Sequence, residues 1–105
     1  MNILYNVTVN IENDSHDNWL HWMLTEHIPQ VMKTEMFKEY KIFKLQGDED
    51  TGGITYSIQY FAESMKEVDE YMKTHAPFLR NEADKKFGGK FVAFRSLLEL
   101  IHHSA

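Results

Sequence analysis

From Phe37 to Tyr60 the chain reads FKEYKIFKLQGDEDTGGITYSIQY, two segments of β character flanking an acidic, glycine-rich turn. Phe37 to Gln46 carries Tyr40 and Ile42 on one face and Phe43 and Leu45 on the other. After Gly47-Asp48-Glu49-Asp50-Thr51-Gly52-Gly53, the residues Ile54, Tyr56, Ile58 and Tyr60 alternate with Thr55, Ser57 and Gln59. Glycines supply the positive φ of a hairpin connection, so the middle of the sequence is a β-hairpin. Asp48 and Asp50 resemble the opening of a calcium loop, but the twelfth position counted from Asp48 is Gln59 where the bidentate glutamate should stand.

Upstream of the hairpin, Ile3, Tyr5, Val7, Val9 and Ile11 alternate with Leu4, Asn6, Thr8 and Asn10, an amphipathic strand. Asn13-Asp14-Ser15 then offers capping side chains, and Trp19, Leu20, Met23, His27, Val31 and Met32 recur at helical spacing through about residue 33. Downstream, Ser64-Met65-Lys66-Glu67 fits the capping box, and Val68, Tyr71, Met72 and His75 continue a second helical face. Gly88-Gly89 ends that segment, and residues 91–98 are apolar on both faces, a last strand. The order is βαββαβ. Two βαβ halves with right-handed crossovers give a four-stranded antiparallel sheet with both helices on one face: an α+β, ferredoxin-like plait spanning residues 1–105 as one domain. A faint repeat agrees, with His27-Ile28-Pro29 matched by His75-Ala76-Pro77 and Val31 by Leu79.

The helices cover one face of such a sheet and leave the other to water or a partner. On the uncovered side, strands one and three are polar through Asn6, Thr8, Asn10, Thr55, Ser57 and Gln59, whereas strands two and four are apolar on both sides. Packing two sheets face to face buries that excess, so a homodimer through the sheet, a dimeric α+β barrel, is expected.

Composition narrows the function classes. Sixteen carboxylates face nine lysines and two arginines, Arg80 and Arg95, for a net charge of −5 without a basic tract, which argues against nucleic acid as a partner. Protonating all six histidines takes −5 to −5 + 6 = +1, so solubility should change at mildly acidic pH. Cysteine is absent, which excludes disulfides, thiolate metal sites and a cysteine nucleophile. No stretch approaches the roughly 18–20 apolar residues of a membrane span, and no export signal is visible at the start, so a cytoplasmic protein without a membrane role is expected. Nucleophile-elbow and glycine-rich phosphate signatures are missing, and His16, His21 and His27, five and six apart, form no i, i+4 metal pair. Neither a metal nor a cofactor is expected.

The stretches Tyr5-Asn6-Val7-Thr8-Val9-Asn10, His27-Ile28-Pro29, Thr55-Tyr56-Ser57-Ile58-Gln59-Tyr60-Phe61 and Lys90-Phe91-Val92-Ala93-Phe94-Arg95 resemble a family of short bacterial proteins classed only as a domain of unknown function. Their pattern is similar to the dimeric α+β barrel superfamily, with its antibiotic-biosynthesis-type monooxygenases, haem-degrading enzymes, muconolactone isomerases and stress-responsive proteins. The resemblance implies the fold and the dimer and transfers no catalytic motif.

Trp19, Met23 and part of His27 share one helical stripe. Laid over a sheet bearing Tyr5, Tyr56 and Tyr60, that stripe is core by default, and encloses an aromatic-lined small-molecule pocket if it is not filled. Pro29 would clash with the carbonyl of Thr25, so the first helix should kink near His27. There His27 either donates to a carbonyl freed by the bend or packs at the bend, or else serves as a general acid–base, the candidate catalytic residue; His75 before Pro77 reads the same way. Arg95, the only arginine in a strand, shares a face with Ala93 and Leu97; its guanidinium should pair with a carboxylate such as Glu99 or with a residue of a partner, or anchor an anionic ligand. The ligand-binding set is therefore Tyr5, Trp19, Met23, His27, Tyr56, Tyr60 and Arg95. The expected function is small-molecule binding, with a cofactor-independent enzyme of monooxygenase or isomerase type, or a structural or protein-interaction module, as alternatives.

Overall fold

A computed structural model of the chain describes residues 2–47 and 52–104. Strand β1 (Ile3–Glu12) pairs antiparallel with β3 (Gly53–Ala62) on one side and β4 (Phe91–Glu99) on the other, and β2 (Glu39–Lys44) adds to the far edge of β3, giving the order β2-β3-β1-β4. The register sets Tyr5 opposite Tyr60 and Leu97, Val7 opposite Ile58 and Arg95, and Val9 opposite Tyr56 and Ala93. The period-two reading of each strand is thus the sidedness of the sheet. With two crossovers on one face, the fold is the α+β ferredoxin-like plait.

The first crossover runs through a 3₁₀ turn (Asn13–Ser15), helix α1 (His16–Trp22), a π turn (Met23–His27) and helix α2 (Ile28–Lys33). The second repeats the scheme as α3 (Met65–Glu70), a π turn (Tyr71–His75) and α4 (Ala76–Phe87). The bend expected at Pro29 takes the form of that π turn: Ile28 N–H bonds back to Met23 and Ala76 N–H to Tyr71, five residues earlier. One extra residue in the turn moves the preceding carbonyls away from the proline ring, which has no N–H to offer them. The faint sequence repeat is therefore a structural one, with a histidine closing each π turn and Val31 and Leu79 both buried.

The expected caps are corrected. No side chain of Asn13, Asp14 or Ser15 caps the first helical segment, because Ser15 is itself helical (φ −103°, ψ −6°) and a capping oxygen needs extended backbone to swing over the first turn. At Ser64, which has that extended backbone, half of the capping box forms: the Glu67 carboxylate reaches back to the Ser64 backbone N–H, while the Ser64 hydroxyl donates to that carboxylate at 2.5 Å instead of capping the helix.

Ile3, Tyr5, Val9 and Ile11 of β1 and Tyr56, Ile58 and Tyr60 of β3 meet Trp19, Trp22, Ile28 and Val31 from the first crossover and Val68, Tyr71 and Leu79 from the second. Burying a large apolar side chain contributes about 1.5–3 kcal/mol, so this layer holds the crossovers on the sheet. Gly47 (φ +83°) and Gly52 (φ +77°) bend the chain at the hairpin as expected. Asp48, Glu49, Asp50 and Thr51, with the calcium-loop likeness, lie outside the described residues.

On the uncovered face, Asn6 Nδ2 donates to Thr8 at 3.0 Å, and the Ser57 hydroxyl donates to Asn6 Oδ1 at 2.6 Å. Phe43, Val92, Phe94 and Leu98 stand exposed around this polar centre, Phe94 at 73%.

Candidate functional site

Because β4 is an edge strand, its helix-facing side is only partly covered. Between it, the central strands, the first π turn and α4 lies a cavity of about 230 Å³. Trp19, Trp22 and Met23 form its helical wall and Tyr5, Ile58 and Tyr60 its floor. The tyrosines belong to a cluster with Phe37 and Tyr71, ring centroids 4.9–6.1 Å apart. Burial raises the Tyr60 and Tyr71 phenols well above their ordinary range, so both remain protonated hydrogen-bonding groups at neutral pH.

His27 closes the π turn with its ring stacked on Trp22, centroids 4.9 Å apart. Its Nδ1 is buried and meets no hydrogen-bond partner among the described residues. The expected bond to a carbonyl freed by the bend is therefore not made; the π turn rearranges those carbonyls instead. Burial, with the Arg95 guanidinium adding to it, lowers the imidazole to about 4, so the ring is neutral at pH 7. With Nδ1 sealed off, Nε2 is the nitrogen left open, and a proton is better held there than as a stranded donor on Nδ1. In that tautomer the N–H of this lining residue is on Nε2.

Arg80 and Arg95 reach the lining from α4 and β4. Arg80 Nη2 donates to the Tyr5 hydroxyl at 3.2 Å, tying α4 to the central strand. Arg95 departs from one expectation: it is exposed, and among the described residues no carboxylate, Glu99 included, forms a salt bridge with it. The edge position of β4 leaves its guanidinium hydrated, so burial demands no partner. Asp84, one turn beyond Arg80, completes the charged rim.

Six of the seven residues singled out from sequence, Tyr5, Trp19, Met23, His27, Tyr60 and Arg95, line this cavity. Tyr56 does not. Its hydroxyl lies 2.7 Å from His16 Nε2, while His16 Nδ1 lies 2.9 Å from Asp17, which fastens the start of α1 to β3. His75 is half-buried beside Tyr71 and outside the lining, so the repeated histidines are not equivalent. Sequence reading missed Trp22, Tyr71, Arg80 and Asp84 as lining residues. The available signal was that Arg80 flanks the buried Ala76, Leu79 and Phe87 stripe of α4. Among the described residues no three His, Asp or Glu side chains cluster as metal ligands.

A ferredoxin-like plait with a cavity walled between sheet and helices is the class of protein these features define. The chain belongs to the family described as a domain of unknown function, DUF4286, whose model matches residues 2–101. No curated protein matches it in sequence. Among solved structures it is similar to a dimeric ferredoxin-like protein from an uncultured marine organism (TM-score 0.76, 7% identity, 97% of each chain covered). It is also similar to an EthD family protein from Bacillus halodurans (TM-score 0.68, 12% identity, 94% of this chain and 99% of that one). A third likeness is to a Bacillus cereus protein proposed to be an antibiotic biosynthesis monooxygenase (TM-score 0.66, 10% identity, 100% and 99%). At these identities the likeness is one of fold.

Proposed function

We propose that this protein is a small-molecule-binding homodimer whose site is the cavity beneath the first π turn. The observation that carries the reading is the unfilled space itself, about 230 Å³ between Trp19, Trp22 and Met23 above and Tyr5 and Tyr60 below, with His27 and two guanidinium groups at its border. An aromatic and apolar wall with a few polar groups converging at its border is the usual make-up of a small-ligand site. The dimer is supported by the exposed Phe43, Val92, Phe94 and Leu98 around an internally bonded polar centre, and by the dimeric description of a fold neighbour. Absence of cysteine favours a cytoplasmic setting.

A cofactor-independent enzyme is the second reading, favoured by the neutral His27 ring at the cavity border. The test is a fragment screen followed by the protein's tryptophan fluorescence, because Trp19 and Trp22 are its two tryptophans and both stand in the wall. Fragments that shift the fluorescence of the native chain should lose that effect in Ala93→Leu, which adds bulk where Ala93 of β4 lines the cavity, while its melting temperature holds or rises. Fragments that bind the filled variant equally well would overturn the assignment.

A further inference from the structure

Both arginines of the chain border one cavity, although they lie fifteen residues apart on different elements and the protein as a whole carries a net charge of −5. The nine lysines are absent from that lining. Guanidinium differs from ammonium in presenting a planar fork of N–H donors that matches a carboxylate in two-point contact. Arg80 spends Nη2 on the Tyr5 hydroxyl at 3.2 Å and on Met72 Sδ at 3.5 Å, which leaves Nη1 and Nε to a ligand, and Arg95 is paired with no carboxylate of the described residues. Tyr71 and His27 line the same cavity as both arginines. Asp84 is the one acid of the lining among the described residues, which leaves two positive charges against one negative. His27 adds a neutral ring to the lining, and the rest of the wall is aromatic or apolar.

We propose that the cavity takes a compact organic carboxylate, its apolar body between the Trp19, Trp22 and Met23 wall and the tyrosine floor, its carboxylate between Arg80 and Arg95. This rests on the reading of the cavity as a binding site. The volume, about 230 Å³, lies below the roughly 300–1,000 Å³ of sites for drug-sized ligands, which limits the body to about one or two rings or a short branched chain.

The experiment titrates the full chain with benzoate and cyclohexanecarboxylate and, in parallel, with their uncharged primary amides, reading tryptophan fluorescence. The expected result is that each acid binds at least about tenfold more tightly than its amide, a difference of about 1.4 kcal/mol. Arg95→Gln and Arg80→Gln should each weaken the acids by about tenfold and leave the amides unchanged. Arg95→Gln is the cleaner variant, since Arg95 is exposed and forms no salt bridge among the described residues, and its melting temperature should equal that of the native chain. Equal binding of acid and amide, or acid affinity indifferent to both arginines, would overturn the carboxylate assignment while leaving the cavity a binding site. If neither acids nor amides bind, both the assignment and the reading beneath it fall.

Discussion

The His16 imidazole and the Tyr56 phenol meet edge to edge, Nε2 to Oη 2.7 Å, with their ring planes inclined by only 8°. Asp17 accepts on the far side of the ring at 2.9 Å, so the first turn of α1 is anchored to a central strand by a three-membered chain. The Asp17 carboxylate is fully exposed and adds little, whereas the His16 to Tyr56 bond is partly buried. His16→Ala and Tyr56→Phe should each lower stability, with a coupling of about 0.5–1.5 kcal/mol in the double-mutant cycle by chemical denaturation. Strictly additive losses would mean that the contact contributes nothing.

His27 predicts a pH dependence of stability. Its imidazole falls from an ordinary 6.5 to about 4 on folding, so between those values the unfolded chain binds the proton that the folded chain refuses. The resulting contribution is whole above pH 6.5, is lost as pH falls toward 4, and changes no further below that. For a half-buried ring it amounts to about 1–3 kcal/mol. The difference in unfolding free energy between the native chain and His27→Gln should therefore vary across pH 4–6.5 and flatten above 7; a difference independent of pH would contradict the depressed imidazole.

The uncovered sheet face predicts the oligomer. Phe94 is 73% exposed at the middle of edge strand β4, on the side away from the helices. Phe94→Glu places a charge where two such faces would meet, and light scattering at micromolar concentration should give the protomer mass for the variant and twice that mass for the native chain. A native chain that is monomeric would remove the dimer from the proposed function.

Within the protomer, burial should set the cost of truncation. Ile58, 1% exposed between the two crossovers, should lose about 2–5 kcal/mol as Ile58→Ala, while Phe78, 63% exposed on α4, should lose under about 0.5 kcal/mol as Phe78→Ala, both read from urea melts.

What the amino-acid sequence determined by itself was everything carried by local period and local chemistry. The alternation of Ile3 to Ile11 and Ile54 to Tyr60 fixed which side chains face the helices, and Pro29 and Pro77 fixed where each crossover departs from regular α geometry, because these constraints act within a few residues. The same locality explains why Tyr5, Trp19, Met23, His27, Tyr60 and Arg95 were legible as candidates, each lying on an apolar face or at a break. Tertiary structure alone decided the rest. Tyr56 turned from the cavity to His16 across forty residues, Ser15 took helical backbone instead of capping, and Arg80 joined Arg95 at one border because α4 crosses the sheet beside its edge strand. Those outcomes depend on how two crossovers pack over one sheet, a sum of many long-range contacts that no short window of sequence contains.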